Sequence, residues 1–358
     1  MALHFHTLTI KDTRQETPDC ISISFTIPEV LQKEFAFIQG QSLTLKKDFG
    51  GEEIRRSYSI CSSPLDNELR VAIKKAYNGL FSNFANQELK AGDTIEVLPP
   101  TGNFYTPVQR ANVKNYLAFA AGSGITPVIS ILKTTLATEP HSNFTIVYGN
   151  RTHASIIFKE QLAEIKDRYM DRFTLYHILS RESLEAPINF GRIDREKCLQ
   201  LQKLIKFEGI DEFFLCGPEE MIFSVKNFLE SKEIDKRKIH YELFNTPVKQ
   251  RTSIYRPAII KEQDNSSNIS VKLDGRTFEF NLDYNSNNIL DAALAQGADL
   301  PFACKGGVCC TCKARLVEGK VEMEVNYGLE ADEVAAGYIL TCQSHPRTKK
   351  VTIDFDVK

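Results

Sequence analysis

Cys304-Lys305-Gly306-Gly307-Val308-Cys309-Cys310-Thr311-Cys312, followed after 29 residues by Cys342, is the stretch that decides how the C-terminal part of this chain folds. The spacing C-x4-C-x2-C…C suits a [2Fe–2S] cluster, because each iron takes two thiolates and a loop must wrap the inorganic core. Gly306 and Gly307 let that loop turn backbone N–H groups toward the sulfur charge at little steric cost. A structural zinc site is the competing reading. Four-cysteine zinc sites usually come as two close pairs, whereas here the cysteines fall as three plus one. Cys304, Cys309, Cys312 and Cys342 are the candidate metal ligands, and Cys310 reads as a small buried filler beside them.

Upstream, Ser270-Val-Lys-Leu-Asp-Gly-Arg-Thr-Phe-Glu-Phe280 alternates apolar and polar residues on both sides of Asp274-Gly275, the strongest short hairpin signal. Asn288-Ile-Leu-Asp-Ala-Ala-Leu-Ala-Gln296 predicts a short helix with an Asn cap, stopped by Gly297. With Leu300-Pro-Phe-Ala-Cys304 and Leu340-Thr-Cys-Gln343, these segments make residues 269–358 similar to a plant-type ferredoxin domain. The resemblance implies an α+β unit of the β-grasp kind.

Residues 246–268, with Pro247, Pro257 and Gln263-Asp-Asn-Ser-Ser-Asn268, are charged and weakly periodic and read as a linker. Residues 111–245 alternate strand and helix patterns. Tyr116–Ala121, Phe144–Tyr148, Phe173–Leu179 and Glu212–Cys216 read as buried strands, and Ile129–Leu132, Phe158–Tyr169 and Met221–Leu229 as helical. That order predicts an α/β doubly wound parallel sheet. Residues 1–110 carry short alternating strands such as Ile21–Ile27, Leu69–Ile73 and Thr94–Leu98, and predict an antiparallel β-barrel.

The 358 residues are accordingly expected to form a multidomain protein. A net charge of −2 gives no general reason to expect nucleic acid or an anionic membrane as partner. No run of about 20 apolar residues suggests a membrane span, and the start Met1-Ala-Leu-His-Phe-His lacks a signal-peptide pattern, so a cytoplasmic location is expected. Of nine cysteines, Cys20, Cys61, Cys198 and Cys216 are scattered while Cys304, Cys309, Cys310 and Cys312 crowd into nine positions with Cys342 beyond, which fits a metal site in a long chain better than a disulfide framework.

Further motifs stand in the first two units. Arg56-Ser57-Tyr58-Ser59 ends one strand, and Gly79-Leu-Phe-Ser82 follows the next. Ala121-Gly122-Ser-Gly124-Ile-Thr126-Pro127 is a glycine turn between a buried strand and a helix, where backbone can approach a pyrophosphate. Tyr148-Gly-Asn-Arg151, Ser180-Arg181-Glu182 and Cys216-Gly217-Pro218 end other strands, the edge where a doubly wound sheet binds ligands. Tyr241-Glu242-Leu-Phe244 closes the series. Each alone has a plain reading: a core tyrosine, a solvated arginine, an inert buried thiol.

Their order is similar to that of the ferredoxin–NADP reductase superfamily. The resemblance implies that Arg56, Ser57, Tyr58, Ser59, Gly79 and Ser82 hold a flavin. In it, Arg56 meets the diphosphate, Tyr58 lies on the ring, and Ser59 donates toward the reactive nitrogen. It implies that Gly122, Gly124, Thr126 and Pro127 form the pyrophosphate turn. Cys216, Gly217 and Pro218 then face the nicotinamide, with Glu242 and Phe244 beside the flavin. Tyr58, Ser59, Cys216 and Glu242 are the residues expected at the reacting groups. Ser180 and Arg181 match the pair that grips an adenosine 2′-phosphate, which favours NADPH over NADH despite the adjacent Glu182. Relatives of phthalate dioxygenase reductase use FMN in the same module order; Arg56 with the Gly79–Ser82 segment suggests the second phosphate of FAD. Pro99–Phe104 is expected near the flavin, with Phe104 open to a second reading as interface core.

The module order implies a circuit NADPH → FAD → [2Fe–2S] → acceptor. Leu300–Cys312 and Glu333-Val-Ala-Ala-Gly-Tyr-Ile-Leu-Thr-Cys342 resemble the reductase family that serves phenylacetyl-CoA epoxidase. The resemblance implies a diiron multicomponent oxygenase as protein partner and aromatic (phenylacetate) degradation as pathway. Reductases of other ring or steroid hydroxylases, and a general electron-transfer reductase, are the alternatives.

Overall fold

The computed structural model describes residues 4–183, 186–244 and 266–357. In the first unit, β1 (His6–Thr17), β2 (Cys20–Thr26), β3 (Ser42–Asp48), β4 (Glu53–Ser59), β5 (Leu69–Lys74) and β6 (Thr94–Thr101) form an antiparallel sheet in the order β4-β3-β6-β1-β2-β5. Its two edges meet: Ile60 bridges Val71, and the Cys61 N–H donates to the Arg70 carbonyl at 2.9 Å. That closes the barrel, and alternate residues such as Leu43, Leu45, Val71 and Ile73 fill it. A helix that strand patterning does not reveal, α1 (Leu80–Gln87), sits between β5 and β6. Its Phe81 and Ala85 are buried in the barrel core.

The second unit alternates β7 (Asn115–Ala121), α2 (Ile125–Thr138), β8 (Asn143–Asn150), α3 (Lys159–Arg168), β9 (Phe173–Leu179), α4 (Arg195–Leu201), β10 (Glu212–Cys216), α5 (Glu219–Ser231) and β11 (Ile239–Glu242). All strand pairs are parallel, in the order β11-β10-β7-β8-β9. The expected helices at 158–169 and 221–229 are α3 and α5 within two residues at each end. Buried α2 joins the first two units. Its Ser130 hydroxyl donates to the Ser62 carbonyl at 2.6 Å, and Thr134 lies 2.8 Å from the Ser63 hydroxyl.

The third unit holds β12 (Ser266–Leu273), β13 (Arg276–Asp283), α6 (Ile289–Ala295), β14 (Lys313–Glu318), β15 (Val321–Met323), α7 (Ala331–Ala335), β16 (Tyr338–Leu340), β17 (Ser344–Pro346) and β18 (Lys350–Asp354). The main sheet runs β13-β12-β18-β14-β16, and β15 pairs with β17 apart from it. The hairpin turns at Asp274 (φ 51°) and Gly275 (φ 71°), the two positive angles that a type I′ turn requires. Asn288 caps α6 by accepting from the Asp291 N–H. The expected linker lies outside the described residues up to position 265; Ser266, Ser267 and Asn268 already belong to β12.

Candidate active site and cluster loop

The fold brings the motifs into two adjoining cavities. The larger, about 1290 Å³, lies at the C-terminal ends of the parallel strands and is walled by Gly122, Ser180, Arg181, Gly217 and Pro218 with Asn150, Arg151 and Arg192. Asn150 is 8% exposed, and both atoms of its amide lack a hydrogen-bond partner. Among the described residues Arg151 and Arg181 have no ion-pair partner, so both remain available to an anion. Glu182, the residue that could instead claim a ribose diol, accepts from the His153 N–H at 2.7 Å.

Gly124, Thr126 and Pro127 lie behind that wall. The Thr126 hydroxyl donates to the Ser123 carbonyl at 2.9 Å, and Gly124 lets α2 approach the Cys216 carbonyl. Cys216 is 0% exposed and opens on neither cavity; burial pushes its thiol well above the usual range, and nearby Glu242 adds to the shift. Cys216 pairs in register with Ala120 on one side and Glu242 on the other, so its backbone ties the glycine turn to β11.

The smaller cavity, about 330 Å³, lies where all three units meet. Arg56, Ser57 and Ser59 of β4 line it, with Phe104, Glu242 and Phe244, and the cluster loop contributes Cys304, Cys309 and Cys310. Leu243 and Phe244 line both cavities and so stand between them. The Ser59 hydroxyl donates to Glu242 Oε2 at 2.9 Å. Glu242 lines this cavity, and burial pushes its carboxyl up to about 7, against the opposing Ser59 hydrogen bond. Raised in this direction, it is neutral below about pH 7 and charged above.

The two flavin motifs come together through their aromatic rings: Tyr58 packs on Phe81 of α1 with centroids 5.7 Å apart. Burial raises the Tyr58 phenol. Ser82 commits its hydroxyl to the loop itself, accepting from the Ala76 N–H at 3.0 Å and donating to the Gly79 carbonyl at 3.2 Å. That bond holds Gly79 at the N-terminus of α1, leaving backbone N–H groups for an anion. Phe104 lines the small cavity and packs edge-on against Phe214 of β10, centroids 5.4 Å apart.

The four candidate ligands converge. The sulfurs of Cys304 and Cys309 are 3.1 Å apart, and the Gly306 N–H points at Cys304 Sγ from 3.3 Å. Hydrogen bonds from Cys309 and Cys342 hold the Cys304 thiol far below the usual range, while Cys309 is pushed up by Cys304 and Cys342 by Cys304 and Cys312. Four cysteine sulfurs brought together from the loop and the Thr341–Gln343 turn are a soft donor set that suits iron. Cys310 is not a filler of the ferredoxin core alone: it faces the small cavity, with burial pushing its thiol up to about 11.

Comparison with known proteins agrees with this arrangement. The oxidoreductase FAD-binding domain family matches residues 7–105, the oxidoreductase NAD-binding domain family 119–227, and the 2Fe-2S iron-sulfur cluster binding domain family 271–347. A component of the 1,2-phenylacetyl-CoA epoxidase of Escherichia coli K12 is 47% identical over 355 residues, covering 99% of this chain and 98% of that protein. The ferredoxin reductase component of 3-ketosteroid-9-alpha-monooxygenase from Rhodococcus rhodochrous is 35% identical, covering 97% and 96%. Phthalate dioxygenase reductase shares the fold over 98% of both chains, with a TM-score of 0.58 at 22% identity. Matched from end to end by such proteins, the chain belongs to the family of oxidoreductases that join FAD, nicotinamide and [2Fe–2S] domains as the reductase components of multicomponent oxygenases.

Proposed function

We propose that this protein takes electrons from NADPH and delivers them to the oxygenase component of a phenylacetyl-CoA epoxidase. The observation that carries the proposal is the shared small cavity, in which flavin-motif residues of β4 and cluster ligands face one another. The pathway assignment adds the full-length similarity to the epoxidase component from Escherichia coli.

In this reading Arg56 and the N-terminus of α1 hold the phosphates of FAD, and Ser59 and Glu242 hold a proton between Oγ and Oε2 at the flavin end. Phe244 separates that space from the nicotinamide cavity. Arg181, with Ser180, holds the 2′-phosphate of NADPH. Bound there, the flavin supplies the conversion of a two-electron hydride into single electrons, which the cluster passes on. Nine free cysteines suit a reducing compartment, so we place the reaction in the cytoplasm. Among the described residues no helix is long and apolar enough to cross a membrane.

NADPH should bleach the visible flavin band of the purified protein and, with the oxygenase component of a phenylacetyl-CoA epoxidase present, drive epoxidation of phenylacetyl-CoA. A flavin band that NADPH leaves unbleached would falsify the reductase reading. Arg181→Ala should raise the KM for NADPH about 10- to 100-fold, the worth of charge-assisted bonds to a phosphate. The KM for NADH should move little. Equal effects on both coenzymes would remove Arg181 from the phosphate site.

A further inference from the structure

β4 carries two arginines in succession, and side chains alternate along a strand. Arg56 lines the small cavity, while Arg55, on the strand face it shares with Ser57 and Ser59, is buried, 6% exposed. There it meets the cluster-bearing unit. Its Nη1 donates to the Leu300 carbonyl at 3.2 Å, its Nη2 lies 3.5 Å from Asp299 Oδ1, and its guanidinium sits 3.9 Å from the centre of the Phe302 ring. On the barrel side its Nε donates to Glu53 Oε1 at 2.7 Å. Phe302 stands two positions before the ligand Cys304, and Lys305, the residue after that ligand, places its Nζ 4.5 Å from the same ring centre.

A guanidinium taken out of water costs free energy unless its donors and its face are all engaged. Here the partners of both terminal nitrogens, and the ring, belong to a unit some 245 positions away in sequence. Glu53 and the Phe5 ring, 4.9 Å away, engage Arg55 from the barrel side, but the partners of its terminal nitrogens are present only while the ferredoxin unit is docked. The barrel also meets the ferredoxin unit through His4 Nε2, 2.9 Å from Asp274 Oδ2, through Asn103 Nδ2, which donates to Glu333 Oε2 at 2.7 Å, and through the Thr44 and Thr311 hydroxyls, 3.5 Å apart.

We propose that Arg55 is a positioning residue for electron transfer from flavin to cluster: stacked on Phe302 and bonded to Leu300, it holds the cluster loop against the flavin cavity. The proposal rests on the cofactor assignment above. The step it serves moves one electron from the reduced flavin to the cluster, turning one ferric iron ferrous, and a second follows once the oxygenase has taken the first.

Stopped-flow mixing of the holoprotein with NADPH separates flavin reduction from cluster reduction. In Arg55→Leu the rate of flavin reduction, the KM for NADPH and the electron-paramagnetic signal of the dithionite-reduced cluster should be unchanged, while cluster reduction slows. Amide exchange over residues 299–305, a readout independent of electron flow, should rise roughly thirtyfold, the equivalent of about 2 kcal/mol for a desolvated cation–π contact. Arg55→Lys keeps the charge without the flat fork and should recover part of both effects. Should the leucine variant fail to fold, Phe302→Leu removes the contact from the other side and should give the same pattern. An unchanged rate of cluster reduction, or unchanged exchange, in the folded variants overturns the proposal. Absence of flavin bleaching or of a cluster signal in the unaltered protein overturns instead the cofactor assignment beneath it.

Discussion

Cys342→Ser should strip the cluster and abolish delivery of electrons to the oxygenase, while NADPH-driven reduction of a flavin-accepting dye continues. Cys342 is 2% exposed, in the short turn Thr341–Gln343 between β16 and β17. Its place opposite the other ligands is fixed by the Thr341 hydroxyl and N–H, which both donate to the Cys312 carbonyl, at 3.0 and 3.2 Å. Gln343 Nε2 adds a bond to the Lys305 carbonyl at 3.2 Å, tying this turn to the loop that carries the other three ligands. No neighbouring sulfur can substitute, because Cys310 faces the small cavity instead. A serine hydroxyl is a hard, poorly ionised donor, so one iron loses a thiolate and the cluster its fourth anchor. Iron content and the cluster's visible absorption should fall to background. The nicotinamide cavity is built from the parallel sheet and the barrel, neither of which borrows a residue from the Cys342 turn. Dye reduction should therefore stay within about twofold, the equivalent of about 0.4 kcal/mol in barrier height. Collapse of dye reduction with flavin still bound would show that the electrons do not pass through the flavin first.

How much of this the sequence discloses follows from the range of each determinant. The 2Fe-2S binding domain, the Asp274-Gly275 hairpin and the Asn288 cap rest on local codes, and they read directly. The parallel sheet reads almost as easily, because strands buried on both faces leave continuous apolar runs. Helix α1 is hidden by its brevity: eight residues after Gly79 look like one more turn between strands. Cys310 passes for core because spacing identifies ligands without saying which way their neighbour points. The burial of Cys216 is set by its register between Ala120 and Glu242, which no single strand records. Arg55 is the furthest from legibility. It stands beside the motif Arg56–Ser59, yet its meaning depends on Leu300 and Phe302 in a different unit.

That long-range dependence makes Gly124→Ala the second large effect. Gly124 has ordinary right-handed angles (φ −61°, ψ −8°), so alanine meets no backbone penalty there. The obstacle is space. A Cβ at Gly124 would lie 2.0 Å from the Cys216 carbonyl oxygen and 2.8 Å from the Gly217 nitrogen. Both obstructing groups are backbone, so relief requires the β10–α5 turn to move away from α2 as a unit. Glu242 would follow, since β11 is paired to β10 at Cys216, and with it the Ser59–Glu242 bond that joins the barrel to this sheet. Overpacking of this kind costs roughly 1–3 kcal/mol. The functional loss should be larger, because a displacement of about 1 Å at reacting groups costs on the order of 100-fold in rate. The expected result is a fall of that order in the rate of flavin reduction by NADPH, with the dithionite-reduced cluster signal intact, since the four candidate ligands all lie in the ferredoxin unit. Gly209→Ala is the control: it has no atom within 4 Å of its would-be Cβ and should change neither rate nor stability measurably. Near-normal flavin reduction in Gly124→Ala would mean that the β10–α5 turn yields freely, and that the nicotinamide end of the site is not held by this backbone contact.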